Sequence, residues 1–188
     1  MFPWLRLIRV GFGLLGAPRV DLLATTRITL RVWPNDLDLN FHVNNGRYLA
    51  LADIGRMHWF VSTGVLAIAR QEKMFPVVGD AIAKFRRDLK VFESFEIQTR
   101  LMGWNHKWGF LEHRFVRDNR VIGVVAIRGI FNGPKGPLDP GALLAGLAHA
   151  SPSPILPAWA NSFQQGSELM SEALREEERA QGFRSRNG

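Results

Sequence analysis

One helix-length apolar segment, followed by strand after strand, is the feature that most limits the fold. From Asn45 to Thr63, the residues Tyr48, Leu51, Ala52, Gly55 and Trp59 recur at helical spacing. Asn44 or Asn45 supplies an N-cap, and Gly64 supplies a stop. A β-branched segment, Thr25 to Trp33, precedes this helix and reads as a strand, while Val65 to Glu72 reads as a short second helix. Four further strands are expected at Val77–Arg87, Phe95–Leu101, Phe110–Val116 and Val121–Phe131. Phe95–Leu101 alternates apolar and polar residues, the pattern of a half-buried strand. Asp118-Asn119 fits a tight hairpin turn. Val121 to Ile130 is polar at little besides Arg128, which places it in the sheet interior. Strands joined in series make an antiparallel sheet. Wrapping that sheet around the one long helix buries both apolar faces, so the expected class is α+β.

With 188 residues the chain can fill one sizeable core. The expected organisation is an apolar segment over 1–19, the main domain over 20–133, a connector over 134–157, and a helix with tail over 158–188. Six of the ten prolines fall between Pro134 and Pro157, which reads as irregular chain. The final helix is expected over Ala158–Gln181.

Without cysteine, disulfides, thiolate metal sites and a Cys nucleophile are excluded, and a cytoplasmic setting fits. The five histidines show no paired metal-ligand spacing, so no metal or cofactor is expected. No Gly-x-Ser-x-Gly elbow is present, which argues against a serine hydrolase. The net charge of +7 favours anionic partners, yet no basic run interleaved with aromatics marks a nucleic-acid surface. Gly11 to Gly16 formally matches a dinucleotide-binding glycine pattern, but Pro18 stands where its helix should continue. Met1 to Ala17 is too short and too interrupted by Arg6 and Arg9 to span a membrane. Two readings stay open for it. One is an interfacial amphipathic segment with Trp4, Leu5, Ile8 and Phe12 on one side; the other is a helix packed on its own domain or a partner subunit.

The densest chemistry lies just ahead of the long helix. Asp36 to Asn45 holds two carboxylates, three amides and His42. Polar groups at a helix start can bind a carbonyl oxygen and place a water, since the first N–H groups lack partners and carry partial positive charge. The amides of Asn45, Gly46 and Arg47 are the candidate donors, with Gly46 allowing close approach.

The motif Asp36-Leu37-Asp38 … His42-Val43-Asn44-Asn45 … Tyr48-Leu49 resembles the 4-hydroxybenzoyl-CoA thioesterase-like group and plant acyl-ACP thioesterases, within the hotdog-fold thioesterase superfamily. Phe92–Ile97, Leu101–Trp104 and Leu111–Val116 extend the likeness to thioesterase superfamily member six and its bacterial relatives, over most of Val20 to Leu174. The resemblance implies an antiparallel sheet around one long central helix, an acyl-CoA or other acyl-thioester substrate, and a homodimer or tetramer with its site between subunits. It implies catalysis by Asp38, as general base or nucleophile, with Asn40 and His42 completing a triad like that proposed for the plant enzymes.

Each assignment has a structural counterpart. Asp38 can brace the turn, Asn40 can be a left-handed turn residue, His42 can be packed, and Asn45 can be a cap. Asp36 is expected to be structural, paired with an arginine such as Arg56, and Tyr48 is expected to pack beneath the site. Two other functions compete: an acyl-CoA or lipid-binding hotdog protein without turnover, and a hotdog enoyl-CoA hydratase. The hydratase pattern needs a proline and an Asp–His spacing of five, whereas Asp38 and His42 lie four apart.

Overall fold

A computed structural model describes residues 4–13, 18–134, 136–145, 147 and 152–182. The elements in chain order are α1 (Trp4–Phe12), β1 (Thr26–Arg31), a 3-10 turn (Pro34–Asp36), α2 (Asn45–Ser62), α3 (Val65–Gln71), β2 (Phe75–Phe85), β3 (Ser94–Trp104), β4 (Gly109–Arg117), β5 (Arg120–Gly133), β6 (Gly136–Leu138), α4 (Pro140–Ala145) and α5 (Ala158–Ala180). They form two compact units, 1–154 and 155–188. The first carries the sheet and α1 to α4, and the second carries α5. Among the described residues no helix is long and apolar enough to cross a membrane.

The sheet runs β1-β3-β4-β5-β2 with every pairing antiparallel, and β6 adds to the end of β5. Period-two alternation decides its faces: Thr26, Ile28 and Leu30 of β1 are buried while the residues between them are exposed. Register sets Thr26, Thr99, His113 and Val125 in one row across four strands, all buried. Leu101, Leu111 and Ile127 form the next row. Helix α2 packs on this face with Tyr48, Leu51, Ala52, Ile54, Gly55 and Trp59. Gly55 sits where the approach is closest. A Cβ there would stand 2.7 Å from Thr99 Oγ1 and 2.9 Å from Ile97 Cγ2, so only glycine lets the helix lie this near the sheet. This is the hotdog arrangement, with α2 as the wrapped helix.

Local chemistry sets the boundaries. Asn44 caps α2, its side chain accepting from Gly46 N–H at 2.9 Å, and Gly64 at φ +82° follows the C-cap Thr63. Asp118 and Asn119, at φ +50° and +57°, make the tight β4–β5 turn. The expectation of irregular chain through the proline-rich stretch is corrected: β6 pairs with Phe131–Gly133, and α4 buries Leu143 and Leu144. Proline is well suited to the first position of a helix, where its missing N–H has no intrahelical role, and Pro140 stands there. Proline density alone therefore did not exclude regular structure.

At the other end, α1 packs on its own domain. Leu7 and Val10 join the core and Arg6 is drawn inward, while Trp4, Leu5 and Ile8 stay exposed. Residues 1–3 and 14–17, with the second half of the Gly11–Gly16 pattern, lie outside the described residues.

Candidate active site

The polar motif folds into a tight turn at the amino end of α2. Asp38 N–H donates to His42 O at 2.9 Å, Phe41 N–H donates to Asp38 O at 3.1 Å, and Leu37 bridges Val43. The Asp38 carboxylate accepts Asn40 N–H at 2.9 Å, an Asx turn. The left-handed residue is Phe41, at φ +60°, rather than Asn40. Leu39 and Phe41 project from the tip, 97% and 77% exposed, beside the half-buried Asp38. Asn40 is exposed. The ring of His42 faces Asp88, with Nε2 3.4 Å from Oδ2, and its backbone bridges Lys90. The turn thus gathers Asp38, Asn40 and His42 within five residues, while their bonds run to the turn backbone and to Asp88.

Asp36 is the fixed point of this loop. Its carboxylate has no solvent exposure and binds Arg6 (3.1 and 2.5 Å), Arg47 (3.2 and 2.9 Å) and the Trp33 N–H (2.9 Å). Burial alone pushes its pKa up; the bonds from Arg6, Trp33 N–H and Arg47 outweigh that and hold it below the usual carboxylate value. The expected partner Arg56 is replaced: it pairs instead with Asp53, one turn before it on α2. Arg47, whose backbone amide is the expected substrate contact, has its side chain engaged with Asp36.

At the helix start, Asn44 Oδ1 accepts Gly46 N–H, and Asn44 O accepts Arg47 N–H at 2.9 Å. Two of the three candidate amides are therefore used by the cap. Asn45 is exposed on the first helical turn. Tyr48 is buried beneath it, edge-on to Phe85 and Phe115, with centroids at 5.1 and 4.8 Å. Burial, aided by Asp88 and opposed by Arg117, pushes its phenol up to about 12, so it stays protonated.

Further along α2 the groove becomes apolar. A cavity of about 120 Å³ is lined by Trp59, Phe60, Leu101, Trp104 and Phe131, with Val77 and Val78 of β2 in its wall and Arg56 at its edge. At 1.5 Å per residue, Arg56 lies roughly 16 Å along the helix axis from Asn45.

His113 of β4 is fully buried beside Gly55 of α2, with Nδ1 3.0 Å from Thr99 Oγ1. Burial, with Arg56 adding to it, pushes its pKa down from 6.5 to about 3, so the ring is neutral. As pH falls below the ordinary value, the unfolded chain takes up a proton that the buried ring refuses, so stability falls with pH across that window. His113→Gln is expected to flatten this slope by up to about 1.4 kcal/mol per pH unit between about pH 6 and 4. Urea unfolding across that range measures it, and parallel slopes for both proteins would refute the assignment.

A family model described as the thioesterase-like superfamily matches residues 32–133, more than half of the chain. The chain belongs to the thioesterase-like superfamily. The match begins just after β1 and runs to the end of β5, so the superfamily segment contains the polar turn, α2 and strands β2 to β5. Among relatives, Protein THEM6 of Xenopus laevis is 37% identical over 110 residues, covering 57% of this chain and 53% of that one. Protein THEM6 of Danio rerio is 38% identical over 100 residues, covering 53% and 50%. This superfamily member thus spans about half the length of the curated relatives it matches. The DHNA-CoA thioesterase of Staphylococcus aureus superposes with a TM-score of 0.57 at 10% identity, over 79% of this chain and 95% of that one, a likeness of fold.

Sequence reasoning missed two members of the site region. Asp88 faces His42 from the connection after β2. Asp88 lies in the run Arg86-Arg87-Asp88-Leu89-Lys90, and no spacing pattern ties it to His42. Arg6 reaches Asp36 from 30 residues away, and no local pattern announces that pair.

Proposed function

We propose that this protein hydrolyses acyl thioesters of the acyl-CoA class, with Asp38 as the carboxylate that activates water or attacks the carbonyl. The observation that carries the reading is the place of Asp38. It is half-buried on a tight turn at the amino end of the wrapped helix, beside exposed apolar Leu39 and Phe41. A thioester carbonyl at that helix end meets partial positive charge, which favours the developing oxyanion. Asn40 and His42 supply polar contacts from the same turn, and Asn45 lies on the first turn of the helix.

A nucleotide end has basic residues close by. Arg87, Arg117 and Arg120 line one surface cleft, and Arg86 and Lys90 sit on the same connection. The aromatic cavity under α2, about 120 Å³, offers an apolar lining for part of an acyl group, and is somewhat smaller than the roughly 150 Å³ cavity that takes up benzene.

Self-association through β2 belongs to this reading. Among the described residues β2 pairs with β5 on one side only, and Phe75, Val77, Val78, Ile82 and Phe85 along it are exposed. An unpaired apolar edge strand is a ready template for a second copy. Sedimentation equilibrium is expected to give a dimer or tetramer; a monomer at micromolar concentration would remove this part. Peripheral membrane contact has support in the outward Trp4, Leu5 and Ile8 of α1 with Arg9 beside them. Flotation with anionic vesicles tests it, and no binding would exclude it.

One observation favours a second reading. The cap occupies the Gly46 and Arg47 amides, as suits an acyl-thioester binder without turnover. Free-thiol release over a panel of acyl-CoAs separates the two. Turnover with saturation supports the hydrolase, and saturable acyl-CoA binding without thiol release replaces it with the binder.

A further inference from the structure

The candidate turn hangs on one buried carboxylate, and half of that carboxylate is held from outside the superfamily segment. Arg6 lies on α1, ahead of residues 32–133. Its guanidinium spans three parts of the fold: it donates to Asp36 Oδ1 and Oδ2 and to the backbone oxygen of Arg31, the last residue of β1 (2.8 Å). Both ends of the loop converge on the same aspartate. Trp33 N–H binds Oδ2 on the entry side, and Asn44 N–H binds Asp36 O at 2.9 Å on the exit side. Asn44 is also the cap of α2, and Arg47 on the first turns of that helix takes Oδ1. The residues strung between these anchors are the turn that carries Asp38, Asn40 and His42.

We propose that Arg6 is a positioning residue. Reaching from the N-terminal helix, it locks Asp36 and thereby holds the Asp38–His42 turn in register with the amino end of α2. This rests on the hydrolase reading for its kinetic consequence only. Arg47 fixes Oδ1 alone; without Arg6, Oδ2 keeps just the Trp33 N–H, and the carboxylate gains a torsional freedom that passes to Asn44 and the turn. The planar fork of arginine matters, because two parallel bonds fix orientation as well as distance. The N-terminal helix is then part of the architecture that positions the turn, through the Arg6–Asp36 latch.

The test compares Arg6→Met and Arg6→Lys with wild type in the full chain. Arg6→Met is expected to lower kcat by about tenfold to a hundredfold with KM nearly unchanged, the scale of a misplaced catalytic group. Arg6→Lys should recover part of the loss, since an ammonium restores charge without the fork. A purely structural role would lower the melting temperature and leave kcat per folded molecule intact. The second readout needs no turnover: the His42 ring and Gly46 amide resonances are expected to shift in Arg6→Met while the His113 ring signal stays in place. If Arg6→Met does not fold, Arg6→Lys decides by the same readouts. If wild type releases no thiol, the hydrolase reading fails on its own, and the His42 and Gly46 resonances still judge the latch. A folded variant with wild-type kcat, or with unmoved His42 and Gly46 signals, overturns the proposal.

Discussion

Asp38→Asn is expected to lower thioester turnover by about two orders of magnitude or more, the scale for losing an acid–base group or nucleophile. The change is well matched to the local structure. Asp38 accepts Asn40 N–H through one carboxylate oxygen, and an amide oxygen can accept the same bond. The turn should therefore persist, closed as before by Phe41 N–H to residue 38 O and residue 38 N–H to His42 O. What disappears is negative charge and basicity, so the loss should fall on kcat, with folding and acyl-CoA binding little altered. His42→Gln should have a smaller effect, since its ring faces Asp88 across 3.4 Å rather than Asp38. Thiol release under saturating acyl-CoA measures both. Equal, measurable rates for Asp38→Asn and wild type would dismiss Asp38 as the reacting carboxylate.

The elements that sequence made legible are those whose cause is local. Helix α2 follows from apolar spacing with a cap and a glycine stop, and it was found at Asn45–Ser62 where the pattern put it. The β4–β5 hairpin follows from Asp118-Asn119, two residues that tolerate positive φ. β3 follows from strict alternation. What stayed illegible depends on partners distant in sequence or on competition for the same group. Asp36 was read as structural, but its cations come from α1 and from the helix it precedes, whereas Arg56 is claimed by Asp53. The helix-start amides were read as open donors, but the Asn44 cap takes two of them. In the proline-rich stretch, proline was counted as a breaker where Pro140 opens a helix. The site in turn was legible as a cluster of residue types, and illegible as a set of bonds.

Asp36→Asn should give the largest loss of stability among single changes in this loop. The carboxylate is fully buried and serves two guanidinium groups, themselves 12% and 16% exposed. The amide is nearly isosteric, so packing is preserved, but it brings two N–H donors against donors and removes the negative charge that Asp36 presents to both arginines. Removing one partner of a buried ion pair costs about 3–5 kcal/mol, because the remaining charge stays desolvated. For a chain of this size about 1 kcal/mol corresponds to roughly 2–4 °C, so the melting temperature should fall by roughly 6–20 °C. The pH dependence has a definite sign. The folded-state pKa of Asp36 is depressed, so its contribution is complete above the unfolded value of about 3.9 and is lost as pH falls through the folded one. The gap between wild type and Asp36→Asn should therefore be widest near neutrality and close on strong acidification. Combining Asp36→Asn with Arg6→Met should cost less than the sum of the two, since the second change removes a charge the first has stranded. Thermal unfolding followed by circular dichroism supplies all three measurements. A loss under about 1 kcal/mol, or strict additivity with Arg6→Met, would mean that the two arginines find solvent or other acceptors, and that Asp36 is a bystander to the fold.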